Sequence, residues 1–119
     1  MSDTPAIPPP PLLQILNINV NKLLAAQTDI LNRTNPADWD ILCIQEPCFD
    51  FRDTTRGTLK WTMVYPRKHN NKVKRTRALM LVNVKLPTTS WKELPVDLVD
   101  VAGIQMTGNY GALRIYSIY

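Results

Sequence analysis

Apolar and polar positions alternate most clearly from Leu12 to Asn21 (LLQILNINVN), with Leu16, Ile18 and Val20 on one side and Asn17, Asn19 and Asn21 on the other. A period of two marks a strand with one buried face. Asn is depleted in strands because its amide offers the backbone competing hydrogen bonds, so three on one face call for a reason. From Lys22 to Arg33 the period lengthens to that of a helix. Leu23, Leu24, Ile30 and Leu31 share one broad stripe that Gln27 interrupts, and Asn21 stands where it can cap the first turn. Asn35-Pro36 closes the pattern. Trp39 to Gln45 is a short apolar run bounded by Asp40 and Glu46-Pro47, and its length and branching read as a buried strand.

Leu59–Tyr65, Ala78–Asn83 and Val99–Met106 are further strand candidates. Thr107-Gly108-Asn109-Tyr110-Gly111 supplies a turn into a last strand, Ala112–Tyr119, so these two segments form a hairpin. The succession strand, helix, strand, followed by strands and turns, predicts an α/β domain over residues 12–119. Met1–Pro11 is proline-rich, has nothing to pack, and is expected to be a disordered tail. The last strand pattern runs to Tyr119 without a polar stop, which reads as a domain truncated at its C-terminus.

Composition narrows the classes. The chain has 119 residues, 45% of them hydrophobic, enough for one domain with a core. No apolar run reaches the roughly 18 residues of a membrane span, and the start lacks a signal peptide's basic and apolar regions, so an intracellular protein is expected, the nucleus included. Cys43 and Cys48 have no third cysteine or nearby histidine to complete a zinc site, and Cys43 reads as a buried thiol. The net charge of +4 is local: RKHNNKVKRTR, residues 67–77, holds six Lys or Arg and no acid, and without those six the balance is −2. Arg67, Lys68, Lys72, Lys74, Arg75 and Arg77 therefore suit a polyanion, or else form a solvated loop. His69, the only histidine, reads as a solvated loop residue.

Two segments together carry a resemblance. Ile15-Leu16-Asn17-Ile18-Asn19-Val20-Asn21 and Asp40-Ile41-Leu42-Cys43-Ile44-Gln45-Glu46-Pro47 resemble the first two motifs of the endonuclease/exonuclease/phosphatase superfamily, a strand ending Asn-Val-Asn or Asn-Val-Asp and a strand ending Gln-Glu. Leu113-Arg114-Ile115-Tyr116-Ser117-Ile118-Tyr119 is similar to the strand that ends in that family's active-site tyrosine. The Asn-Val-Asn, Gln-Glu-Pro and Ile-Tyr signatures most resemble the endonuclease domains of non-LTR retrotransposons, which are associated with reverse transcriptases.

The resemblance implies the N-terminal half of a four-layer α/β sandwich, with mostly one sheet and one or two helices here. It implies a magnesium-dependent phosphodiesterase acting on nucleic acid, most simply DNA. Glu46 would be a metal ligand, and Asn21 would lie near the metal where many relatives carry Asp. Asn19 would orient catalytic groups, and Tyr119 would contact the scissile phosphate. Magnesium takes hard oxygen ligands, and one carboxylate with two amides would hold it weakly, if at all, in the isolated chain. Relatives continue with an Asp/Asn pair, further aspartates and a histidine, so the chain is expected to be inactive alone, with the missing C-terminal half a possible partner. A non-catalytic nucleic-acid-binding module using residues 67–77 and a transposon-derived relic are the competing readings.

Overall fold

Among the described residues eight elements follow in the order β1 (Ile15–Asn19), α1 (Leu24–Arg33), β2 (Ile41–Gln45), β3 (Trp61–Val64), β4 (Ala78–Asn83), β5 (Trp91–Glu93), β6 (Val101–Gly108) and β7 (Gly111–Ile118). The structure, a computed structural model, describes residues 12–35, 37–48, 60–69 and 75–119. The proline-rich segment 1–11, Pro36, Lys72 and Lys74 lie outside the described residues. Among the described residues, no helix is long and apolar enough to cross a membrane.

The strands make two sheets where one was expected: a four-stranded sheet in the order β1-β2-β4-β3 and a three-stranded sheet in the order β5-β6-β7. The second sheet escaped the sequence reading because the β6–β7 hairpin has no polar face pattern that separates it from the first, and β5 is only three residues long. The parallel β1–β2 pair is as the strand-helix-strand succession requires, with Asn19 beside Gln45. β4 runs antiparallel to both β2 and β3.

The sheets pack face to face. Ile41, Cys43, Val64, Met80 and Val82 from the first sheet meet Ala102, Ile104 and Met106 from the second. The other face of the first sheet carries Leu42, Ile44, Trp61, Leu79 and Leu81, which pack with Val20 and with Leu31 of α1. Alternation sorts consecutive residues between these two clusters, and burial on both faces explains why β4 is a run without a polar residue until Asn83. Register also answers the Asn puzzle. Asn17 and Asn19 share a face with Cys43 and Gln45, but β1 is an edge strand, and both amides are exposed.

The helix differs from its expected form at its first turn. Asn21 and Lys22 adopt left-handed backbone, φ 53° and 58°, so the helix starts at Leu24 and Leu23 occupies the cap without a side-chain hydrogen bond. Asn21 therefore does not cap it. The delayed start turns Leu23 and Leu24 to solvent, while Leu31 of the expected stripe is buried together with Gln27.

Candidate functional site

The carboxyl ends of β1 and β2 sit beside the start of β4 and the end of β7, and polar side chains gather there. β2 closes with Gln45, and Glu46 then turns into left-handed backbone, φ 50°. A non-glycine residue at positive φ is uncommon, and such outliers concentrate where a site constrains the backbone. The turn is held from several sides. Glu46 N–H donates to the Arg77 carbonyl at 2.8 Å, and Lys22 N–H donates to the Glu46 carbonyl at 2.8 Å. Val20 N–H donates to the Gln45 carbonyl at 3.0 Å.

A buried amide completes the support. Gln27, 1% exposed, accepts the Cys48 N–H at 2.7 Å through Oε1 and donates Nε2 to the Cys48 carbonyl at 3.1 Å. Both backbone groups of the residue after Glu46-Pro47 are thus satisfied by one side chain. The interruption in the helical stripe was the signal for this residue. A polar group on an apolar face needs a partner.

Tyr119 closes the site from the other sheet. Its hydroxyl donates to Glu46 Oε1 at 2.8 Å, and the Arg77 guanidinium lies 4.4 Å from its ring centre. The Glu46 carboxylate pushes the phenol above its ordinary range, since the hydrogen bond favours the protonated form; Arg77 opposes this. Arg77 is fixed in turn by Asp100, which accepts its backbone N–H at 2.8 Å, Nε at 3.2 Å and Nη2 at 2.7 Å. That hydrogen-bonded guanidinium holds the Asp100 carboxyl below the usual range. Deeper between the sheets, Gln45 Nε2 donates to Ser117 Oγ at 3.3 Å. Burial pushes the neighbouring Cys43 thiol up, partly offset by its hydrogen bond with Ser117.

Beside Glu46 opens a cleft of about 390 Å³ lined by Lys22, Glu46, Pro47, Cys48, Arg75, Thr76 and Arg77. Thr76 is buried, with its N–H on His69 Nδ1 at 2.9 Å and its Oγ1 donating to the Ala78 carbonyl at 2.6 Å. His69 is not the solvated loop residue expected: it is half-buried and stacks on Tyr65 at 5.0 Å. It steers the chain into β4 without reaching the cleft lining.

Of the candidate residues, Glu46, Tyr119 and Arg77 converge, and Arg75 lines the same cleft. Asn19 spends its Oδ1 on the Asn21 N–H at 2.7 Å, closing the left-handed turn. Asn21 is beyond the strand and not on its face, so the expected two-amide alignment does not form, and it is not part of the cleft lining. Arg67 and Lys68 follow β3, where Lys68 pairs with Asp97 at 3.4 Å. Sequence reasoning missed Lys22, Gln27, Thr76 and Asp100. Apart from Gln27, none carries a local signal, because each is brought in by long-range pairing.

Comparison with family models, curated proteins and solved structures finds no match for this chain.

Proposed function

We propose that the cleft beside Glu46 handles a phosphodiester, and that the chain forms the N-terminal part of a magnesium-dependent endonuclease-type domain, a four-layer sandwich when complete. The observation that carries this reading is the Tyr119–Glu46 hydrogen bond. It joins residues 73 apart from two sheets, at the mouth of a cleft walled by Lys22, Arg75 and Arg77. A carboxylate, a phenol and clustered cations suit a group that is anionic and rich in oxygen acceptors.

The donor chemistry fits magnesium as a single protein ligand. Glu46 Oε1 is engaged by Tyr119, Asp100 is engaged by Arg77, and no three His, Cys, Asp or Glu cluster among the described residues. Magnesium is commonly held by one or two carboxylates with water and substrate phosphate completing the octahedron. Glu46 would supply the protein ligand, and the bound ion would polarise a phosphate oxygen. Tyr119 remains protonated at neutral pH and orients the carboxylate while its ring supports Arg77. The cations hold the polyanion, and DNA is the simplest substrate class they suit. Among the described residues no side chain in the cleft is placed as a general base, and on this reading the chain alone binds without turning over.

The test measures binding of a short single-stranded DNA with and without magnesium, for wild type and Glu46→Gln, alongside plasmid nicking. Magnesium should tighten binding to the wild type and leave Glu46→Gln unaffected, with no nicking by either. Equal binding in all four conditions would overturn the metal-site reading and favour a non-catalytic nucleic-acid-binding module. Nicking that Glu46→Gln abolishes would overturn the inactivity.

A further inference from the structure

Among the described residues β7 is the edge of the three-stranded sheet, and its backbone is divided between two sides. On β6, the Gly103 carbonyl accepts from Leu94 and Thr107 N–H donates to Ser90, so the odd-numbered residues of β6 face β5. The even-numbered ones face β7, opposite Gly111, Leu113, Ile115 and Ser117. The Tyr119 N–H bond to the Asp100 carbonyl, 3.1 Å, continues the same series. It follows from antiparallel geometry that Ala112, Arg114, Tyr116 and Ile118 turn their N–H and C=O groups to the open edge. A long edge bearing apolar side chains is a template for another strand. Leu113, Tyr116 and Ile118 are all exposed.

We propose that this edge pairs antiparallel with β7 of a second copy, joining two three-stranded sheets into one. A two-fold pairing must set outward-facing residues against each other, which leaves three central registers. One opposes Arg114 to Arg114 and is disfavoured by like charge. One opposes Tyr116 to Tyr116 and leaves Arg114 against Ile118. The third sets Arg114 opposite Tyr116 twice, with Ala112 opposite Ile118 and Ile115 facing Ile115. Charge and chemistry select this third register. Arg114 Nε is already directed by Gln105 Oε1 at 3.0 Å, which holds the guanidinium on the outer face of the sheet. Tyr116 lies on that same face over Gly103, where an added Cβ would come within 2.8 Å of its ring. A cation beside an aromatic ring is favourable at such a site.

Sedimentation and light scattering over a concentration series should give twice the 13.6 kDa monomer mass at high concentration. Arg114→Pro removes one outward N–H without touching the β6 ladder, and should return the protein to monomer mass with its circular dichroism retained. A second measurement does not depend on that variant's folding. In a Cys48→Ser background, Ile115→Cys should form a disulfide-linked dimer on mild oxidation, because non-hydrogen-bonded partners stand ~4.5 Å apart at Cα. Leu113→Cys, opposite Ser117 in this register, should not. A wild type that stays monomeric, larger open-ended assemblies, or crosslinking that favours Leu113→Cys would each overturn the proposal.

Discussion

β4 and β7 solve the same problem with different amounts of cover. All six residues of β4 are buried, because α1 lies on one face of its sheet and the second sheet on the other. β7 is covered on one face only, so Ile115 and Ser117 turn inward while Arg114, Tyr116 and Ile118 face out, and Leu113, on the inner face near the hairpin, stays exposed. Each strand holds five apolar residues, ALMLVN in six positions and GALRIYSI in eight. What separates them is position in the stack. Apolar content alone therefore fails to say which strand is central, and the difference shows where the molecule can lose side chains without harm.

The comparison breaks most visibly through truncation. Leu81→Ala, in a fully buried position between Leu42 and Met63 on the helix side, should cost about 2–5 kcal/mol through lost transfer energy and an incompletely collapsed cavity. Ile118→Ala, 61% exposed on the outer face of β7, should fall within about 0.5 kcal/mol at concentrations where the chain is monomeric. Urea denaturation of both variants measures the contrast. Equal losses would mean that the outer face of β7 is covered in solution.

A smaller effect is expected where a polar group supports the covered sheet. Gln27→Leu fills similar space but leaves the Cys48 N–H and C=O without their amide partner, at a cost of about 1–3 kcal/mol. Carboxylate chemical shifts should also report a changed Glu46 environment, since the Pro47-Cys48 turn anchors it. Loss of stability with Glu46 unmoved would reduce Gln27 to a packing residue.

How much of this was legible follows from the range of each interaction. The β1–α1–β2 unit, the hairpin and the Glu46 strand end were readable, because periodicity and turn residues within ten positions specify them. The first turn of the helix was not: Asn21 has the chemistry of a cap, but its backbone is taken by a left-handed turn that Asn19 closes. The basic stretch misled in the same way. Arg77 and Lys68 look uncompensated along the chain, yet Asp100 and Asp97 reach them from the loop before β6. The cleft depends on contacts such as Tyr119 to Glu46, across 73 residues, and spacing alone does not encode them.

The smallest effects are expected in the polar contacts that tie the two sheets at the cleft, and pH separates them. Asp100 has its carboxyl depressed by the Arg77 hydrogen bonds, so its contribution is present above the ordinary Asp value, about 3.9. That contribution is lost as pH falls through the lower folded-state value. Tyr119 behaves in the opposite sense. Its phenol is raised by Glu46, so its contribution is full below the ordinary tyrosine value, about 10, and is lost as pH rises through the higher folded-state value. Asp100→Asn should therefore flatten the acid limb of the stability profile and leave the alkaline limb alone, and Tyr119→Phe should do the reverse. Both ion-pair and phenol are solvent-exposed, which keeps each change small next to the core truncation. Glu46→Gln supplies the decisive control, read as phenolate absorbance. Removing the carboxylate charge should bring the Tyr119 titration down toward its ordinary range. If it stays raised, desolvation rather than Glu46 holds the proton, and the contact between the sheets at Tyr119 is one of packing alone.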